Sequence, residues 1–124
     1  MREGHQYLFL DFEFTMPESK TKPDGFFPEI IEVGLVSVIN DQVYDQFSSY
    51  VKPNQFPILT ERCKTFLNIT QEQVDQGIHF EELVHWLREY DRLCPSTVIT
   101  WGNMDMKVLK HNCLQADLTF QFNG

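Results

Sequence analysis

The chain opens on an apolar run, Tyr7-Leu8-Phe9-Leu10-Asp11-Phe12-Glu13-Phe14-Thr15, with two carboxylates set into it at alternate positions. Read as a β-strand from about His5 to Phe14, it projects Asp11 and Glu13 from one face and Phe12 and Phe14 from the other. Met16 to Pro28 carries Pro17, Pro23, Gly25 and Pro28 and reads as a loop, a lip that follows the carboxylates directly. Glu29 to Ile39 is β-branched and almost uniformly apolar, the pattern of a central strand covered on both faces. Asn40-Asp41 supplies a turn, and Gln42 to Lys52 alternates as its hairpin partner.

From Pro53 the period changes to helical. Thr60 is placed to cap a short helix through Phe66 or Leu67, and Thr70 with Gln73 forms a capping box for a single turn stopped by Gly77. Phe80, Leu83, Val84, Leu87 and Tyr90 recur at helical spacing, with Glu81, Glu82 and Arg88 outward and Trp86 at the rim. Cys94-Pro95 ends that helix, Thr97 to Trp101 reads as a buried strand, and Gly102-Asn103 turns into a last helix from about Met104 to Gln115. Leu118 to Phe122 alternates like a fifth strand with nothing after it to cover its inner face. The predicted fold is α/β: three antiparallel strands, then helices, then a fourth strand. A helical crossover returns that strand to the sheet as a parallel neighbour of strand one.

At 124 residues, 42% hydrophobic and 14% aromatic, the chain fits one folded domain, 1–124, with eleven phenylalanines for a bulky core. No basic, apolar leader opens it, and no apolar run approaches the ~20 residues that span a bilayer, so no membrane role and a cytoplasmic home are expected. Three widely spaced cysteines without a Cys-x-x-Cys argue against a disulfide framework and a structural zinc. A net charge of −8 argues against a broad basic face gripping duplex nucleic acid. It leaves open an enzyme that holds only a strand end, because cations at an acidic centre reverse the local field.

Two adjacent carboxylates in an apolar strand repel unless they share a proton or a cation, and a hard divalent ion with oxygen ligands satisfies both. Alone, such a tripeptide fits equally the frayed end of an edge strand with two solvated acids. Asp105 shifts the balance. It lies in the first turn of the last helix, where the dipole favours an anion and Asn103 can cap the free amides. It shares the inward face with Val108 and Leu109. Three carboxylates then meet at one sheet end, the arrangement for two metal ions that activate water in phosphodiester hydrolysis.

Leu10-Asp11-Phe12-Glu13-Phe14-Thr15 resembles the first motif of the DnaQ-like, DEDDh-type 3'-to-5' exonucleases, and Ile30-Ile31-Glu32-Val33-Gly34 the strand that follows it. Phe66 to Val74 is similar to the family's linker, and Trp101-Gly102-Asn103-Met104-Asp105 to its second motif. The likeness is greatest to the subgroup containing the histone mRNA 3'-end exonuclease and the sporulation inhibitor KapD. It implies an RNase H-like fold and two Mg²⁺ or Mn²⁺ ions held by Asp11, Glu13 and Asp105, Asp11 bridging both and Asp105 acting through water. It also implies removal of nucleotides from single-stranded 3' ends, RNA in preference to DNA. Phe14, Thr15, Met16 and Asn103 are the residues expected at the substrate. Phe14 and Met16 fit plain core or loop positions equally well.

The family's third motif, a His followed five residues later by an Asp, is a departure: none of His5, His79, His85 or His111 has such a partner. His111 faces another side of its helix from Asp105, and Glu32 reads as an ordinary buried acid with a hydrogen-bond partner in preference to a support for a metal held by its neighbours. Two expectations follow. The chain is the front portion of a longer exonuclease, C-terminally incomplete and weak or inactive by itself. Alternatively, it is a non-catalytic module that binds RNA ends or a regulatory protein.

Overall fold

The computed structural model describes residues 4–122, so the outermost residues of the expected domain lie outside the described region. Four strands, β1 (Gln6–Phe14), β2 (Ile30–Ile39), β3 (Gln42–Tyr50) and β4 (Ser96–Ile99), form one sheet in the order β3-β2-β1-β4. β2 is antiparallel to β1 and β3, and β4 is parallel to β1, as the crossover argument requires. The helices are α1 (Glu61–Leu67), α2 (Gln71–Asp75), α3 (Phe80–Asp91) and α4 (Met104–Gln115). None is long and apolar enough to cross a membrane among the described residues.

Local chemistry sets these boundaries. Asn40 and Asp41 both take positive φ, 52° and 67°, as the right-handed twist of a two-residue hairpin demands. Thr60 caps α1 by accepting from the Cys63 amide, and the left-handed Asn68 (φ 56°) ends it. The Thr70–Gln73 capping box is present in full at α2. Gly77 matters for approach rather than for φ: a Cβ there would lie 2.6 Å from the Tyr50 carbonyl, where Val51 and Ile78 form an isolated bridge.

The main core lies on one face of the sheet. Leu8, Leu10 and Phe12 of β1 and Val33 and Leu35 of β2 pack with Leu83, Val84 and Leu87 of α3 and Val108 and Leu109 of α4. A second, smaller core gathers Ile31, Leu59, Cys63, Ile69 and Val74. The two are separated by a register break: Glu13 pairs with Glu32 but Phe14 with Ile30, leaving Ile31 as the extra residue of a bulge. Consecutive Ile30 and Ile31 are therefore both buried, one in each core. At the opposite end the buried Gln6 ties three segments, its Nε2 donating to Tyr90 O and Ser96 Oγ (2.8 Å each) while its Oε1 accepts from Ser37 Oγ.

Three expectations are corrected. β2 is covered on one face only: Glu32, Gly34, Val36 and Val38 are half-exposed, because both α3 and α4 pack on the other side. The fourth strand ends at Ile99 and is covered on one face only, with Ser96 buried and Val98 half-buried while Thr97 and Ile99 are exposed; Trp101 lies past it and is 90% exposed. Residues 118–122 alternate as predicted, with Leu118, Phe120 and Phe122 turned to the core, but pair with no strand. They run beside α3, where Arg88 donates to Thr119 O (2.5 Å) and lies over the Phe120 ring.

Candidate active site

On the uncovered face of β1, Tyr7, Phe9, Asp11 and Glu13 form a row that runs from apolar to acidic. Strand pairing sets Gly34 opposite Asp11 and Glu32 opposite Glu13, so Glu32 joins the same face. Because Gly34 carries no side chain, the space beside Asp11 stays open as part of a recess of about 630 Å³ that also touches Phe9, Val36, Ile99 and Trp101. Asp105 approaches from the first turn of α4. It is 6% exposed, and its Oδ2 accepts a hydrogen bond from the Phe12 amide at 3.0 Å. That bond fastens α4 to β1 between the two strand carboxylates.

The four carboxylates act on one another. Burial, followed by the charges of Asp11, Glu32 and Asp105, pushes Glu13 above the usual carboxylate range. Burial and then Asp11 raise Glu32. Asp105 is raised by burial and, less strongly, by Asp11, against the lowering effect of the Phe12 amide. Such mutual repulsion is what a divalent cation relieves, and an all-oxygen donor set suits Mg²⁺ or Mn²⁺ rather than zinc. The cage is not closed in advance: among the described residues no three His, Cys, Asp or Glu side chains are grouped to hold an ion. Asp105, turned to the Phe12 amide, stands beside Asp11 and Glu13 rather than converging with them.

The other predicted residues divide. Thr15 is buried and serves the backbone: its Oγ1 accepts from the Glu29 amide and its own amide donates to Glu29 O, both at 2.9 Å. Phe14 packs on the main core and Met16 on the second. Asn103 holds the N-cap position of α4 but makes no side-chain cap hydrogen bond, because its backbone (φ −112°, ψ 4°) is not in the extended form that capping uses. Glu32, read as a buried acid with a partner, is instead half-exposed in the carboxylate row. Its place was available from the alternation of β2 once paired to β1. His111 is exposed, its ring 4.5 Å from that of Phe27. Cys63, Cys94 and Cys113 are free and buried.

The exonuclease family model matches residues 8–122. The chain is 58% identical over 117 residues to the probable 3'-5' exonuclease KapD of Bacillus subtilis (strain 168), covering 94% of this chain and 57% of KapD. The 3'-exonuclease solved in 3'-end specific recognition of a histone mRNA stem-loop superposes with a TM-score of 0.80 and 26% identity, over 96% of this chain and 44% of that one. The nuclease domain of 3'hExo, a DEDDh family member bound to rAMP, gives 0.78 and 27%, over 95% and 63%. The chain thus spans about half the length of these relatives. A mixed four-stranded sheet of RNase H-like topology, with its acidic row at the end of β1, and a family match across nearly all of its length identify this chain as a member of the DEDDh-type exonuclease family.

Proposed function

We propose that this chain carries the Asp11, Glu13 and Asp105 part of a metal-dependent active site that removes nucleotides from the 3' ends of single-stranded nucleic acid, RNA in preference to DNA. The observation that carries the reading is the row of Asp11 and Glu13 on the uncovered face of β1, with Glu32 opposite Glu13 and Asp105 fastened beside it. RNA is favoured because the two neighbours at 26–27% identity described above are solved with a histone mRNA stem-loop and with rAMP, whereas the exonuclease I solved with a dT13 oligonucleotide shares only 12% identity and speaks for the fold alone.

Asp11 and Glu13 are the residues that would hold divalent ions directly, with Asp105 acting through water. Bound there, such ions supply an activated water and neutralise charge on the leaving oxygen. The chain's own contribution is placement. The strand fixes the spacing of Asp11 and Glu13, the Phe12 amide fixes Asp105, and Gly34 leaves room beside Asp11. The general base is not assigned to any residue of this chain. The test is a single-stranded oligoribonucleotide labelled at its 5' end, incubated with Mn²⁺ and the product of the full reading frame. Stepwise shortening from the 3' end that disappears in Asp11→Ala is expected. A substrate left intact by the wild type would refute the reading.

A further inference from the structure

The segment between β1 and β2 is pinched at its neck. The Thr15 amide donates to Glu29 O and the Glu29 amide to Thr15 Oγ1, so residues 16–28 leave and return at one point, as an Ω-loop does. The neck is held further by the Glu29 carboxylate, which is 7% exposed and accepts from the successive amides of Asn54, Gln55 and Phe56 at 2.8–3.1 Å. Both limbs are braced as well. On the outgoing limb, Met16 O accepts from Thr60 Oγ1, Pro17 O from Arg62, and the Glu18 carboxylate from the Glu61 amide. On the returning limb, Phe26 and Phe27 pack against Phe56, and Phe27 against His111 of α4. Cys63 Sγ of α1 lies 3.9 Å from the carbonyl oxygen of Phe14, the residue after Glu13, so the helix that braces the outgoing limb is a neighbour of the acidic end of β1.

What remains unbraced is the tip, exposed from Ser19 to Gly25, where the one side-chain hydrogen bond is from Ser19 Oγ to Thr21 O. It carries Lys20 and Lys22. Neither takes part in an ion pair among the described residues, where Lys64 is paired with Glu61 and Arg92 with Glu89. The acid on the outgoing limb, Glu18, is engaged by the α1 amide. Two unpaired lysines, against the single acid Asp24, are thus carried at the free tip of a loop whose limbs are braced and which leaves the acidic end of β1, in a chain of net charge −8.

We infer that the lip is an electrostatic arm, and that Lys20 and Lys22 take backbone phosphates of the single strand leading away from the reacting 3' end. The inference rests on the exonuclease reading and adds the part of the chain that grips the strand. Lysine is suited to this task, because a flexible point charge follows a phosphate without reading sequence.

Contacts of this kind are measured by salt dependence. Each phosphate neutralised on a single strand contributes about −0.7 to the slope of log K against log salt concentration. Binding of a fluorescent oligouridine to the full-length protein, with Ca²⁺ as a non-catalytic ion, would be followed by anisotropy across a salt series. For Lys20→Gln/Lys22→Gln the slope should become shallower by about 1.4, and for either single variant by about 0.7. Arg92→Gln is the control. Arg92 follows α3 just before β4, whose Ser96 pairs with Gln6, so it sits at the sheet end away from Glu13. Its slope should match the wild type. An unchanged slope in the double variant, or an equal change in Arg92→Gln, would overturn the arm while leaving the nuclease reading intact. A wild type that binds no strand at any salt concentration would overturn both.

Discussion

The two faces of β1 teach different things about the same nine residues. Gln6, Leu8, Leu10 and Phe12 are at most 3% exposed, the last three packed with α3 and α4 in the main core and Gln6 held by its hydrogen bonds. Tyr7 and Phe9, one position away, are 42% and 44% exposed and lead into Asp11 and Glu13. The covered face is where burial supplies the free energy that holds the sheet. The open face is where that rigidity is used, because carboxylates that repel one another keep their spacing only if the strand beneath them cannot yield. Stability and chemistry are thereby separated by a period of two.

That division can be tested by substitution. Asp11→Ala should reduce 3'-end cleavage by more than about a hundredfold, the minimum expected for a group acting directly on the reaction rather than through a neighbour, with the far-ultraviolet circular dichroism unchanged. Leu8→Ala, on the other face, should cost about 2–5 kcal/mol in denaturant unfolding, from lost burial and the cavity left behind. Gly77→Ala should cost about 1–3 kcal/mol, since its methyl group would meet the Tyr50 carbonyl in a backbone contact with no flexible side chain to move aside.

A smaller effect has a distinctive sign. Burial and neighbouring charge keep Glu13, Glu32 and Asp105 protonated to higher pH in the folded chain than in the unfolded one. The folded state binds more protons in that interval, so stability without divalent ions should fall as pH rises from about 4 through the raised values. Asp11→Asn removes a charge that raises all three groups. Its melting temperature in a chelator should equal the wild-type value at the acid end and exceed it near neutrality. Phe9→Thr should change stability least, by about 0.5 kcal/mol or less. A loss as large as that of Leu8→Ala would show that the open face is covered in solution.

Much of the architecture was legible because local chemistry left marks: the Asn40-Asp41 turn, the Thr60 and Thr70 caps, and the spacing of Phe80 to Tyr90 each fix an element without reference to the rest. What a run of apolar residues does not record is which face of a strand meets a helix. Val36 and Val38 of β2 and Ile99 of β4 read as core, yet they lie on the face that α3 and α4 leave open. Alternation at 118–122 reported one-sided burial correctly, but a strand also needs a partner, and here the inward residues pack beside α3 without one. For the site, the spacing of Asp11 and Glu13 and the inward face of Asp105 were readable from period alone. Glu32 is half-exposed where the apolar run around it suggests burial, because its environment depends on register with Glu13, and the Thr15 hydroxyl is engaged at the neck of the lip, which the sequence does not record.

The central claim, that the open end of β1 gathers divalent ions, is tested most directly by anomalous diffraction from Mn²⁺-soaked crystals of this chain beside Asp11→Asn. The account predicts a manganese peak against the Asp11 and Glu13 carboxylates that is absent in the variant. Manganese found only at other surface acids, or a peak that persists in Asp11→Asn, would contradict it.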